Sequence, residues 1–262
     1  MKRCAKTALA ANLLGNQSAG RSRLCADWAA ARTPKHSKEL ELSDTTLFFQ
    51  AIQSGEASKV KALLDSNPSL ATVKNERGQS GVLLAAYSGR KEIRDLLLAR
   101  DVTLELHEAA AAGQLERVQH LVEKDPALAK SYSPDGFPVF ALAAVFGHRD
   151  VAEYLFAKGA EVNAAATNGT GYNALTGAVA SGHTSIVAWL LENGADPNYR
   201  YAAGYSPLIT AAANGHLAIV SMLLGNGADL HAQTNDGKTA LSFALERGHA
   251  AVAEFLRGSG AA

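Results

Sequence analysis

Cysteine is nearly absent: the 262 residues hold two, Cys4 and Cys25, both close to the N-terminus. The rest of the chain therefore has no disulfide to staple a small core and no thiolate set for zinc. Aromatic residues are scarce at 6%, and the apolar content leans on alanine and leucine. That balance suits closely packed helices better than a sheet, where β-branched and aromatic side chains dominate. No apolar run reaches the length of a membrane span, so membrane insertion is not expected. Catalytic signatures are missing as well. There is no Gly-x-Ser-x-Gly elbow, no Gly-x4-Gly-Lys-Ser/Thr phosphate loop and no Cys-x-x-Cys. Gly169-Thr170-Gly171 lacks the third glycine and the preceding strand of a dinucleotide fingerprint. His107-Glu108 starts like a zincin helix, but position 111 is alanine, so the second ligand is gone. No enzymatic activity, catalytic residue, metal or cofactor is expected.

Charge is balanced overall, at 25 of each sign, but unevenly placed. Residues 1–40 carry eight basic side chains (Lys2, Arg3, Lys6, Arg21, Arg23, Arg32, Lys35, Lys38) against Asp27 and Glu39, leaving 17 basic and 23 acidic groups beyond, a net of −6. A body of that sign repels phosphate backbones, which argues against nucleic acid as a partner. The basic start reads as an extension without fixed structure over residues 1–43, ahead of a folded domain over 44–262. Its apolar stretch Thr7–Leu14 is too short for a secretory signal, while an organelle presequence is the alternative on composition. The chain is expected in the cytoplasm as a monomer, with export or organellar delivery as the alternative if residues 1–40 are a targeting segment.

What the chain does have is self-similarity. Gly147-His148, Gly182-His183, Gly215-His216 and Gly248-His249 recur at near-constant spacing, the last three evenly and the first set slightly farther back. An apolar residue or pair follows each at the same offset. Three weaker copies at Gly55, Gly89 and Gly113 make seven units. A turn glycine opens most units (Gly78, Gly136, Gly171, Gly204, Gly237), and an Ala-rich apolar segment follows. In the copy at 206–212, Ser206 predicts an N-cap and Pro207 fits the first helical position, where its missing N–H costs nothing. That helix is expected to end at Gly215 in the left-handed region. A second helix carries Ile219, Val220, Leu223 and Leu224 on one face and stops near Gly227. Each pair is too thin to bury its apolar face alone, so neighbours must stack.

Gly204-x-Ser206-Pro207-Leu208, Ala211-Ala212, Gly215-His216, Ile219-Val220 and Gly227-Ala228-Asp229 together resemble the ankyrin repeat consensus, and the match runs in phase over roughly residues 45–257. The resemblance implies an all-α fold: an ankyrin-type helical solenoid of about seven stacked helix-turn-helix repeats with short hairpin turns. There are departures. The consensus Thr-Pro-Leu-His is replaced at Pro138–Ala141, Asn173–Thr176 and Thr239–Ser242, and only one copy keeps its histidine, His107. Gly89 and Gly113 stand much closer than any other neighbouring pair, which leaves no room for a hairpin, so an altered stacking angle is expected near residues 100–106. The endings Asn67-Pro68-Ser69-Leu70 and Asp125-Pro126-Ala127-Leu128 match, and the offset between them is the same as that from Gly55 to Gly113 and from Gly89 to Gly147. The first half thus resembles a duplicated two-unit block.

One histidine per unit does not make a metal ladder. Adjacent helix layers lie ~8–10 Å apart, whereas ligands sit ~2 Å from an ion. Hydrogen bonding around the inter-helix turn is the expected role. Function, in the resembled family, implies a protein partner held by the concave face and the turn tips. The positions flanking the turn glycine and preceding the helix-ending glycine are here Phe137, Tyr172, Tyr205 and Lys238, then Tyr87, Phe146, Asn214 and Arg247. Turn tips add Tyr132, Tyr199, Arg200 and Tyr201. Tyrosine favours interfaces, and its hydroxyl makes it a poor core residue unless a partner is at hand. The expected site is an aromatic stripe binding a protein not identified by the sequence; the alternative is a small-ligand-binding or enzymatic protein using a pocket in the concave groove.

Overall fold

The computed structural model describes residues 43–100 and 102–261, so the basic N-terminal extension, but for Ser43, lies outside the described residues. Within them, fourteen α-helices form seven consecutive pairs. The pairs are α1 (Asp44–Ser54) with α2 (Ala57–Ser66), α3 (Gly81–Tyr87) with α4 (Lys91–Leu98), and α5 (Leu106–Ala112) with α6 (Leu115–Lys124). They continue as α7 (Val139–Phe146) with α8 (Arg149–Ala157), α9 (Ala174–Ser181) with α10 (Thr184–Glu192), α11 (Pro207–Ala213) with α12 (Leu217–Gly225), and α13 (Ala240–Glu246) with α14 (Ala250–Gly258). The fold is all-α, with isolated antiparallel bridges in place of strands among the described residues.

Local chemistry starts and stops these short helices. Ser43, Ser80, Asn173, Ser206 and Thr239 each accept a hydrogen bond from the backbone N–H three residues on. Pro207 occupies the first turn of α11, as its sequence position predicts. The two matching Pro-containing endings both form 3₁₀ turns, Pro68–Thr72 and Pro126–Lys130. Neither the α1 nor the α3 helix is long enough to be stable alone, so packing sustains them.

The first helix of each pair is wedged between two neighbours, and every residue of α3, α5 and α11 is buried. Alanine allows that close approach. The second helices bury a narrower stripe that includes Ile186, Val187 and Leu190 in α10, Ile219, Val220 and Leu223 in α12, and Val252, Ala253 and Leu256 in α14. These side chains join one core running the length of the array. Leu191 is buried too, while Leu224 is only partly covered. Trp189 on α10 is buried as well, with its ring 6.2 Å from Phe140 and 5.5 Å from Phe156 of the preceding pair.

The Gly-His pairs turn out to join units rather than brace a turn. His148 Nε2 donates to the Ala111 carbonyl (3.2 Å), His183 to Val145 (3.0 Å) and His249 to Ala213 (3.1 Å), each in the preceding unit. His216 faces the Ala180 carbonyl, but Asn214 Nδ2 already donates there (3.3 Å) and His216 Nε2 is left without a partner. The hydrogen bonding expected around the inter-helix turn is thus made to the turn of the preceding unit. The receiving glycine is part of the contact: a Cβ on Gly147 would stand 2.8 Å from the His183 ring, and one on Gly215 2.6 Å from His249. Arg90 takes the histidine's place in the second unit, donating to the Gln53 carbonyl (2.8 Å). Gln114 does not take that role, and Gly89 has open space beside it.

The same junction lacks a hairpin. Bridges join Lys74 to Ser80, Tyr132 to Pro138, Ala165 to Asn173, Tyr201 to Tyr205 and Gln233 to Thr239, but none forms between α4 and α5 among the described residues. On the opposite edge, Asn163 Nδ2 donates to the Gly194 carbonyl while its Oδ1 accepts from Asp196 N–H, and Asn198 repeats this pattern with Gly227 and Asp229.

Candidate interaction surface

The first helices and the hairpins before them form one wall of the array, and the structure brings most of the sequence-predicted residues onto it. Helices α7, α9 and α11 contain no charged residue, so the helical part of the wall carries no charge across three units. Over it runs a file of rings. Tyr172 lies 5.2 Å from Tyr201, Tyr201 6.2 Å from Tyr205, and Tyr205 5.5 Å from Phe243. Farther back, Tyr87 stacks on Phe146 at 5.6 Å, and Phe137, Leu142 and Tyr172 complete a second apolar cluster separate from the main core. Aromatic pairs at these separations contribute about 0.5–1.5 kcal/mol beyond the area they cover.

Exposure divides the candidates. Tyr172, Tyr199, Tyr205 and Phe146 are half-buried, but Tyr87 and Phe137 are each 4% exposed and Tyr201 9%. These last three are corrected from contact residues to supports of the wall. The reasoning that a tyrosine hydroxyl disfavours burial fails here because each buried hydroxyl has a partner. Tyr87 Oη donates to Asp135 Oδ2 (2.8 Å), and Tyr201 Oη bonds Thr210 Oγ1. Burial raises both phenols well above tyrosine's usual range, Tyr87 further through the adjacent Asp135 carboxylate, so both stay protonated donors. Tyr199 is also raised by burial, and its hydroxyl donates to the Gly171 carbonyl (2.9 Å).

Polar candidates sit at the far end. Arg200 donates to the Gln233 carbonyl, Arg247 to the Ala213 carbonyl (3.1 Å), and Asn214 to the Ala180 carbonyl (3.3 Å). Lys238 Nζ pairs with Glu246 (2.9 Å), which raises the lysine above its ordinary value. Lys238 and Arg247 also stand 5.4 and 5.8 Å from the centre of the Phe243 ring, within cation–π range. Phe243 was missed by sequence reasoning. Its register does reveal it: Phe243 holds the same place in its unit as Thr210 and Gly177 hold in theirs, one repeat period apart each time. Tyr132, by contrast, stands 44% exposed and outside the ring file.

The hairpin carrying Tyr201 and Tyr205 is held from both sides. Ala202 N–H donates to the Thr170 carbonyl and the Ala203 carbonyl accepts from Asn235 N–H (2.9 Å). Ala203 itself is left-handed, at φ 55°, which costs about 1–2 kcal/mol for a residue with a Cβ. Nearer the other end, α5 buries His107 and Glu108 side by side in the chain. Glu108 Oε2 accepts from Glu105 N–H (2.8 Å) to cap the helix, while Glu108 Oε1 and His107 Nε2 have no partner. Burial holds His107 below the ordinary histidine value, and Lys74 beside Glu105 holds that carboxyl low. Among the described residues, no three His, Cys, Asp or Glu side chains converge as a metal would require, and no helix is long and apolar enough to cross a membrane.

Comparison with known proteins agrees with this architecture. The family model for ankyrin repeats in three copies matches residues 106–201, and that for ankyrin repeats in many copies matches residues 190–244. Over 136 residues the chain is 31% identical to ankyrin repeat and SAM domain-containing protein 6 of Rattus norvegicus. That alignment covers 52% of this chain and 12% of the rat protein, so only a small part of the relative is represented.

Proposed function

The chain belongs to the ankyrin repeat family, whose arrays generally bind proteins, and from that premise we propose that it is a non-catalytic scaffold gripping a partner protein with its concave face and hairpin tips. One observation supports this most: the ring file Tyr172–Tyr201–Tyr205–Phe243 runs along the hairpins that precede the uncharged helices α9 and α11 and on to α13, with its half-buried members still open to contact. Half-buried aromatics on a rigid wall bind at low entropic cost, because most of their rotamer freedom is already gone. Arg200, Lys238 and Arg247 frame the wall and set the orientation of whatever docks. In this reading the protein acts in the cytoplasm as a monomer, and Tyr87, Phe137 and Tyr201 stiffen the surface from beneath.

Affinity capture with the full chain, followed by titration of the captured partner, tests the proposal. Tyr172→Ala with Tyr205→Ala is expected to weaken binding by ~1–4 kcal/mol while the helical circular dichroism and unfolding midpoint stay close to wild type. Undiminished affinity in the double variant would remove the ring file as the contact surface.

A further inference from the structure

The chain contains four Asn-Gly steps, at 168–169, 193–194, 214–215 and 226–227. Such steps are the most prone to spontaneous deamidation, because glycine leaves its backbone nitrogen open to attack the asparagine carboxamide. The fold treats the four differently. In three of them the glycine N–H is tied into a helix end: Gly194 donates to Leu191 (3.2 Å), Gly215 to Ala212 (3.2 Å) and Gly227 to Leu224 (3.1 Å). All four asparagine side chains are held, Asn193 to Trp189 (2.8 Å), Asn214 to Ala180 (3.3 Å), Asn226 to Met222 (2.8 Å) and Asn168 to Asp135 (2.8 Å), so it is the glycine N–H that separates the sites. Asn226 is exposed, so exposure alone does not separate it from Asn168.

Asn168-Gly169 stands at an exposed hairpin tip, and Gly169 N–H makes no hydrogen bond among the described residues. The carboxamide is folded forward over the next peptide, because Asn168 Oδ1 accepts from Thr170 N–H (3.2 Å) and from Thr170 Oγ1 (2.6 Å). The two donors polarise the carbonyl and stabilise the negative charge its oxygen gains when the Gly169 nitrogen attacks Cγ. We propose that Asn168 is a self-modifying site, converted to aspartate or isoaspartate by its own turn. The deprotonated Gly169 nitrogen bonds to Cγ, the Cγ–Nδ2 bond breaks, and ammonia leaves. Water then opens the resulting succinimide at either carbonyl. The balance is one water consumed and one ammonia released, with no change in oxidation state.

The product differs from the starting hairpin in two ways. Asn168 Nδ2 now donates to the Asp135 carbonyl (2.8 Å) and ties two successive hairpins together; a carboxylate cannot make that bond. It also places a negative charge at the rim of the wall, on the same hairpin as Tyr172.

Peptide mapping of the folded full-length chain during incubation at mildly alkaline pH, with an isoaspartate assay, tests this. Conversion at Asn168 is expected to run about tenfold or more ahead of the other three sites, since each of those must first break a cap hydrogen bond. Thr170→Val is expected to slow Asn168 about three- to tenfold without changing the circular dichroism. In strong denaturant the four rates are expected to converge, which assigns the difference to the fold. Similar rates at all four sites in the folded chain, or no slowing in Thr170→Val, would overturn the proposal.

Discussion

A left-handed glycine in this chain serves both its own helix and the next unit. Gly147 ends α7 at φ 86° and leaves room for the His183 ring, whereas Gly89 has a similar backbone, at φ 65°, with nothing packed on it. The two effects can be separated by substitution. Gly89→Ala should cost about 1–2 kcal/mol, the penalty for a Cβ in the left-handed region. Gly147→Ala should cost about 1 kcal/mol more, because the ring must move and its hydrogen bond to Val145 is lost. Urea unfolding of the two variants measures the difference, and equal losses would show that the ring contact contributes nothing. Within the core, Leu190→Ala should cost ~2–5 kcal/mol, as for other fully buried leucines. Outward-facing residues are harder to read from sequence than these. A buried leucine announces itself by spacing, while Phe137 and Tyr172 both follow a turn glycine and differ in how far the neighbouring units close over them.

At the scale of the element, what matters is how one helix pair is fastened to the next. For two of the repeat histidines the fold disfavours the charged form. His148 and His216 are held below their ordinary value of 6.5, chiefly by burial, as is His107 within α5. The sign follows from linkage. As pH falls, the unfolded chain takes up protons at these histidines before the folded one does, so stability drops. The contribution is complete above 6.5 and is lost as pH falls from there toward the depressed folded values. Glu105, held low by Lys74, acts in a separate window, since its contribution is lost only below its ordinary 4.5. Urea midpoints should therefore decline between about pH 7.5 and about pH 5.5, and the His148→Gln, His216→Gln double variant should flatten that decline. A midpoint unchanged over this range in the parent chain would rule the linkage out. Ring and carbonyl pairing of this kind was only half legible in the sequence. The recurrence of Gly-His marked a structural role, but a one-dimensional pattern does not say whether a side chain bonds within its own turn or reaches back a whole unit, as His148 does to Ala111.

Across the whole molecule, the array is a chain of nearest-neighbour joints, and its stability is the sum of its units and their interfaces. One joint differs from the rest. Between α4 and α5 no hairpin bridge forms among the described residues, Gln114 stands where the unit before has arginine and the four units after have histidine, and Gly89 is left uncovered. Arg117 Nε ties the linker to α6 at the Leu104 carbonyl (3.0 Å), and Lys74 pairs with Glu105 across the joint. The latter is a surface ion pair, worth about 0–1 kcal/mol. Hydrogen exchange should accordingly resolve two blocks, with α1 to α4 opening at lower free energy than α7 to α12. Uniform protection across both blocks would show that this joint is as strong as the others.

Periodicity and local chemistry alone specify the repeat, the seven helix pairs, a cap such as Ser206 and the missing hairpin, because those follow from a period that any single chain displays. The sequence also singled out most of the residues that line the wall. Only the tertiary structure decided which of those rings are open and which are walled in, which unit each histidine fastens, and which Asn-Gly step is left unguarded. The reason is physical: burial and hydrogen-bond pairing depend on groups brought together from distant parts of the chain, and a repeating pattern specifies the spacing of side chains without specifying their neighbours across a joint.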